Sequence, residues 1–313
     1  MNSTGLCLAI LGPTCSWKSE VALRLAEKYQ GEIISCDSMQ VYRGLDIGTA
    51  KPSLAERQRV PHHLLDCLDL HERYDAARFV REARRCLEDI WGRGRLALLV
   101  GGTGLYAKSL IYNLPLLPSD AALSRQLQQE LADAGPAVLL ARLENASANT
   151  ALIPAEVRTN PRRLLRACEV LQLTGHPPWD LPRPEPTPDP AFRQFCLLPL
   201  FELLKQRIRR RTAAMLSAGW LEEAARAEAA GLSRSPTARQ ALGYSELLAY
   251  LSEPSPPGLA VLAETLSNRT IRYARRQYTW FRHQHPGAQQ IIINSEEQAL
   301  SYILDNITTS LSL

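Results

Sequence analysis

No apolar run near the start of the chain is longer than Leu6–Leu11, well short of the roughly 20 residues that a membrane-spanning helix needs. The segment has no basic stretch ahead of it and runs straight into a glycine loop, so it does not read as a secretory signal. Cys-x-x-Cys pairs are absent too. The seven cysteines (Cys7, Cys15, Cys36, Cys67, Cys86, Cys168 and Cys196) stand apart, with no histidine at zinc-site spacing. That excludes a zinc ribbon or a dithiol redox motif, and the odd count suits reduced, mostly buried thiols. Internal repeats, low-complexity tails and a strong charge of one sign are also missing. A net charge of +4 over 313 residues permits an anionic partner without demanding one. A soluble, cytoplasmic protein with a sizeable core is the expectation.

What is present is an alternation. Leu6–Leu11 is apolar without alternating, as a strand covered on both faces of a parallel sheet would be. A helix pattern follows over Ser19–Tyr29, then strand patterns at Glu32–Cys36 and Leu96–Val100 with helical Ala76–Trp91 between them. Glycines at the carboxyl ends of strands complete the picture of an α/β fold, a doubly wound parallel sheet. From Asp120 to Gly175 the pattern is helical with no strand candidate, including Ala121–Ala134 and Pro161–Thr174, and reads as a helical insertion domain over 119–192 between core segments 1–118 and 193–313. A proline-rich connector, Pro177–Pro190, leads out of it and resists regular structure. Gln194–Leu198 and Gln289–Ile293 read as strands, and Leu203–Ser217, Leu221–Ala230 and Leu259–His283 as helices.

The chemistry sits where strands end. Gly12-Pro13-Thr14-Cys15-Ser16-Trp17-Lys18-Ser19 fits the P-loop template G-x-x-x-x-G-K-[ST] at every position but one. In that template main-chain N–H groups and a helix N-terminus bind phosphate oxygens, the lysine adds charge and the hydroxyl reaches Mg2+. Trp17 stands at the second glycine. Either its indole turns away or it partly fills the pocket; in the second case Trp17→Gly would tighten diphosphate binding. Asp37 lies where the second strand ends, on the side of an open sheet where ligands bind; a general base or a helix cap both fit it. Gly101-Gly102-Thr103-Gly104 closes the next strand with a hydroxyl at Thr103.

In their order these pieces carry a resemblance. The phosphate loop, the run Asp37-Ser38-Met39-Gln40-Val41-Tyr42-Arg43-Gly44-Leu45-Asp46-Ile47-Gly48-Thr49-Ala50-Lys51-Pro52, then Val60-Pro61-His62-His63-Leu64, Gly101–Tyr106, Asn160-Pro161-Arg162-Arg163, Ala241-Leu242-Gly243-Tyr244 and Arg275-Arg276-Gln277-Tyr278-Thr279-Trp280-Phe281 together resemble the tRNA dimethylallyltransferases. The likeness spans about Leu6 to Arg282. It departs from the family pattern at Trp17, where the family has glycine, and at Asn160-Pro161, where an acidic residue often intervenes.

The resemblance implies a loop, Gly12 to Ser19, that holds the diphosphate of dimethylallyl diphosphate, and transfer of the dimethylallyl group to N6 of the adenosine 3′ of the anticodon. Asp37 matches the general base and Thr103 a hydroxyl beside the reaction centre. Lys18 and Ser19 match the contacts to diphosphate and Mg2+, Ser19 being the metal ligand. Arg207 or Arg211 is the candidate arginine for the leaving group. Asp37, Ser38, Met39 and Gln40, then Arg162, Arg163, Leu164, Leu165 and Arg166, then Gln240, Ala241, Leu242, Gly243, Tyr244 and Ser245 match regions that touch the tRNA anticodon stem-loop. The expected protein is a monomer without a membrane partner.

Basic residues support an RNA partner: Lys205, Arg207, Arg209, Arg210 and Arg211 crowd one helix, and Arg269, Arg272, Arg275 and Arg276, interleaved with Tyr273, Tyr278 and Trp280, crowd another. Such faces track a phosphate backbone while aromatics stack on splayed bases, though a solvated basic helix has the same composition. His62-His63 near Asp66 and Asp69 has poor metal spacing, and packing or capping accounts for it better. Three other functions fit single features: a small-molecule kinase using the loop for ATP, a transferase acting on free adenine nucleotides, and a tRNA-binding remnant disabled by Trp17.

Overall fold

The computed structural model describes residues 5–147, 149–182 and 185–311. Among them, β1 (Cys7–Leu11), β2 (Glu32–Ser35), β3 (His62–His63), β4 (Ala97–Gly101), β5 (Phe192–Pro199) and β6 (Gln289–Ile293) make one sheet in the order β3-β2-β4-β1-β5-β6. Every neighbouring pair is parallel. All five residues of β1 and of β4 are buried, which is why their sequences are apolar without alternation.

Helices α1 (Lys18–Tyr29), α2 (Leu54–Arg59), α3 (Ala76–Gly92) and α4 (Gly104–Ile111) follow the first strands. Four helices then form a separate compact unit, Leu114–Pro186: α5 (Ala121–Ala134), α6 (Pro136–Ala146), α7 (Ala155–Thr159) and α8 (Pro161–Thr174). The first unit is completed by α9 (Phe201–Ser217), α10 (Trp220–Ala229), α11 (Tyr244–Ser252), α12 (Leu259–Gln284) and α13 (Glu296–Leu311). Phe192, which the sequence pattern placed in the insertion, opens β5 of the sheet. The described residues of Pro177–Pro190 form no helix or strand; Arg183 and Pro184 lie outside the described residues. No helix among the described residues is long and apolar enough to cross a membrane.

The main core of the first unit joins Leu8, Ile10, Val21, Leu25, Ile33, Leu98, Phe195 and Leu197 to Ala299 and Ile303 of α13. Each fully buried aliphatic side chain of this kind contributes about 1.5–3 kcal/mol relative to an exposed one. The second unit has its own core of Leu127, Leu139, Leu143, Ile153, Val157, Leu164, Ala167 and Cys168. Its helix α8 begins where the sequence says it should: the Asn160 side chain accepts from the N–H of Arg162 at 3.0 Å and of Arg163 at 3.4 Å, and Pro161 takes the first helical position, where a missing N–H costs nothing.

Sheet order decides where the site is. β2, β4 and β1 are adjacent and parallel, so the loops leaving their carboxyl ends meet on one edge.

Candidate active site

The loop after β1 runs from Gly12 to Trp17 into α1. Gly12 sits at φ 146°, and a Cβ there would lie 2.4 Å from the Leu197 carbonyl, so only glycine fits. Trp17 has φ 61° and ψ 11° and is the residue preceding the first turn of α1. The backbone therefore keeps the left-handed shape that glycine favours. The indole turns away from the loop. It is 9% exposed and belongs to the core cluster with Val21, Leu25 and Leu197. Of the two arrangements the sequence left open, burial of the indole in the core matches the one in which it turns away. Replacing this indole by glycine would relieve a left-handed strain of about 1–2 kcal/mol and remove a buried aromatic worth about 3–5 kcal/mol, so packing decides the sign.

Lys18 folds back over the loop, donating to the Pro13 carbonyl at 2.5 Å and to the Ser16 hydroxyl at 3.3 Å. Burial, and then the charge of Arg211, push its ammonium down to about 8. Ser19 is exposed on the first turn of α1. A single hydroxyl at the end of a phosphate-loop motif fits Mg2+, which keeps several waters and takes few protein ligands.

Asp37 follows β2. Both of its hydrogen bonds among the described residues fall on Oδ1, which accepts from the N–H of Met39 at 2.8 Å and of Gln40 at 3.3 Å. Burial raises its carboxyl; those two N–H groups, then Lys18 and Arg211, pull the other way without cancelling it. Thr103 follows β4, and its Oγ1 accepts from Ser38 N–H at 3.1 Å. The two loops press together so closely that a Cβ on Gly101 would meet the Cys36 carbonyl at 2.0 Å.

Helices α9 and α12 close the site. Arg211 donates to the Thr14 hydroxyl, and Arg207 donates to the Cys15 carbonyl at 2.9 Å. Gln277 of α12 accepts from Thr14 N–H at 2.9 Å and donates to the Gly102 carbonyl at 2.8 Å, so one amide ties the phosphate loop to the Thr103 loop. Tyr273, one turn earlier, is held neutral chiefly by burial and then by the nearby Asp37 charge. Neither Gln277 nor Tyr273 is marked as a site residue by the sequence, although both lie in segments it singles out.

Glu223 of α10 is the other residue the sequence does not flag. Its buried carboxylate accepts from the N–H groups of Asp46 at 2.8 Å, Ile47 at 2.7 Å and Gly48 at 3.0 Å, and from the Tyr244 hydroxyl at 2.5 Å. Lys51 pins the same loop by donating to the Tyr42 carbonyl at 2.5 Å, Asp46 at 2.6 Å and Asp66 at 2.5 Å. Gln40 bonds the carbonyls of Thr49 and Ala50 at 3.1 and 3.2 Å, so its side chain is engaged inside the loop.

Of the segments expected at RNA, Arg162, Arg163, Gln240 and Ser245 are exposed, while Ser38, Met39, Leu165 and Leu242 are half-buried. Leu164, Ala241 and Tyr244 are buried side chains, and Gly243 is buried too. Arg166 donates to the carbonyls of Leu117 and Pro118 at 2.7 and 2.9 Å and pairs with Glu169 at 2.5 Å. Arg209 and Arg210 of α9 and Arg272, Arg275 and Arg276 of α12 are exposed, on two helices that pack through Leu204, Ile208 and Ala274. The histidine pair is structural: His62 meets the Val60 carbonyl at 2.8 Å and His63 meets Glu32 at 2.7 Å.

The model of the IPP transferase family matches residues 40–284. A tRNA dimethylallyltransferase of Kocuria rhizophila is 42% identical over 88% of this chain and 85% of its own length. The crystal structure of the full-length tRNA isopentenylpyrophosphate transferase of Bacillus halodurans matches with TM-score 0.68 and 33% identity, over 98% of this chain and 96% of that one. A eukaryotic dimethylallyltransferase captured acting on tRNA matches with TM-score 0.82 and 27% identity, over 98% of this chain and 80% of that one.

Proposed function

The chain belongs to the IPP transferase family, and from that membership we propose that it transfers a dimethylallyl group from dimethylallyl diphosphate to N6 of the adenosine 3′ of the anticodon in tRNA. The observation that carries this reading is the meeting of three strand-end loops, which lead to Lys18, Asp37 and Thr103, the first and third tied by Gln277 and the second and third by the Ser38–Thr103 hydrogen bond. One loop suits a diphosphate and the other two offer a base and a hydroxyl beside it.

In the reaction N6 attacks C1 of the allyl group, the N–C bond forms as the C–O bond to diphosphate breaks, and N6 gives up a proton. Asp37 accepts that proton. Its Oδ1 is held by two main-chain N–H groups, which leaves Oδ2 for the amine. The departing diphosphate gains charge, and the loop N–H groups, Lys18 and Arg211 face it. Mg2+, held through Ser19, supplies further neutralisation of that charge when bound. Positioning supplies much of the rate, and anticodon-loop bases leave their stack more cheaply than bases in a duplex. Exposed arginines of α9 and α12 favour a polyanion over a free nucleotide. The same reading has the protein acting in the cytoplasm as a monomer.

The test is transfer of label from dimethylallyl diphosphate to an anticodon stem-loop, with the same loop carrying guanosine at the target as control. Label on the first alone supports the reading; label on neither, or ATP consumption instead, overturns it.

Two further outcomes follow from the geometry. Gln277→Ala unties the loops and is expected to lower the single-turnover rate about 10–100-fold, read by rapid quench, while Gln277→Glu sets a carboxylate against the Gly102 carbonyl and does no better. Transfer is expected to show a bell-shaped pH profile in kcat/KM. Asp37, raised by burial, must lose its proton, so the acid limb lies above the ordinary aspartate range. Lys18 must keep its proton to hold the diphosphate, so the rate falls as pH rises past about 8. Lys18→Arg should move that alkaline limb upward.

A further inference from the structure

The phosphate-loop template places a glycine where this chain has Trp17. The backbone at Trp17 has the left-handed shape that glycine favours. What the tryptophan adds is an aromatic face. The Arg207 guanidinium carbon lies 3.9 Å from the centre of the Trp17 ring. The same guanidinium donates to the Cys15 carbonyl at 2.9 Å and to Glu20 at 3.1 Å. Arg207 is thus held on three sides, two of them supplied by the loop itself. One helical turn on, Arg211 bonds the Thr14 hydroxyl, so α9 docks on the loop through two arginines four residues apart.

We propose that Trp17 is a positioning residue for the diphosphate pocket: its indole is the platform that fixes Arg207 against the phosphate loop before the ligand arrives. The inference rests on the reading of that loop as a site for an allylic diphosphate. A glycine at this place would remove one of the three contacts that hold Arg207, leaving its guanidinium a wider range of positions about the Cys15 and Glu20 bonds, and ordering a long cationic side chain on binding weakens affinity. The interaction is of the cation–π kind, strong where solvent is excluded. Trp17 in this role aids diphosphate binding, the reverse of a residue that obstructs it.

Calorimetric binding of dimethylallyl diphosphate to the full-length protein tests this with a double-mutant cycle. Trp17→Leu keeps an apolar side chain and removes the aromatic face; Arg207→Ala removes the cation. Each is expected to weaken binding about tenfold, and the double variant to be no weaker than the worse single one. Trp17→Phe, which retains a face, should stay within about threefold of the unaltered protein. Should Trp17→Leu lose its thermal transition, Trp17→Met paired with Arg207→Ala carries the cycle, because the adaptable thioether fills the buried space without an aromatic face. Losses that simply add, or Arg207→Ala costing as much without the indole as with it, overturn the proposal. Failure of the unaltered protein to bind dimethylallyl diphosphate overturns the site reading and this inference with it, and is told apart from the additive result by that first titration.

Discussion

Asp37→Asn is expected to lower the single-turnover rate by about 100- to 10,000-fold while diphosphate binding stays close to unchanged. Asparagine retains an oxygen that can accept from Met39 and Gln40 N–H, so the loop keeps its shape. What is lost is the ability to take a proton. The charge removed also sits beside Lys18 and Arg211, which both act on Asp37; its loss leaves the two cations with less to neutralise them, so binding of an anion should tighten slightly if it moves at all. Rapid-quench transfer and calorimetry together check both halves. A variant that loses binding in step with rate would make Asp37 a structural cap.

The second large effect is on stability. Glu223→Ala removes the acceptor for three main-chain N–H groups and one phenol at a carboxylate only 3% exposed. Donors left buried and unpaired cost about 1–3 kcal/mol each when water cannot reach them. With partial rehydration the total should be about 3–5 kcal/mol. The thermal midpoint is then expected to fall by roughly 10 °C, with hydrogen exchange faster at residues 46–48. Glu223→Gln keeps one carbonyl oxygen and turns an NH2 toward N–H donors, so it should fall between the two. Unchanged exchange in 46–48 would mean that Lys51 alone orders that loop.

Much of the sheet is legible because a strand buried on both faces needs apolar residues throughout. Leu6–Leu11 and Leu96–Val100 are readable for that reason and fall on β1 and β4, while Gln289–Ile293 falls on the edge strand β6, where only Ile291 and Ile293 are buried. Helix α8 is read to the residue because Asn160, Pro161 and Gly175 mark its ends chemically. Helices α11 and α13 are not expected from the pattern. The first is nine residues long, and the second shows its purpose only once Ala299 and Ile303 are seen against the sheet. The two-residue β3 is too short to leave a period.

The site divides the same way. Asp37 and Thr103 are legible because each stands just past a strand end, and Lys18 because it closes the loop that leaves β1; these are local properties. Gln277 and Glu223 are not, because the main-chain groups they bond are more than 170 residues away and nothing in the neighbouring sequence announces a long-range contact. A matching segment also does not say which way its side chains face. Leu164 shares a helical face with Ala167 and Cys168 and is buried with them, while Arg162 and Arg163 point outward. Trp17 is the sharpest case: the sequence identifies the odd residue, and only the packing tells that its indole lies under Arg207.

This loop-edge site is expected to prenylate tRNA with Trp17 in place. The decisive experiment is nucleoside mass spectrometry of unmodified tRNA with adenosine 3′ of its anticodon, incubated with the protein, dimethylallyl diphosphate and Mg2+. A dimethylallyl mass gain on that adenosine is expected with the natural sequence, and its loss in Asp37→Asn. No gain with the natural protein, and a gain once Trp17 is changed to glycine, would contradict that expectation.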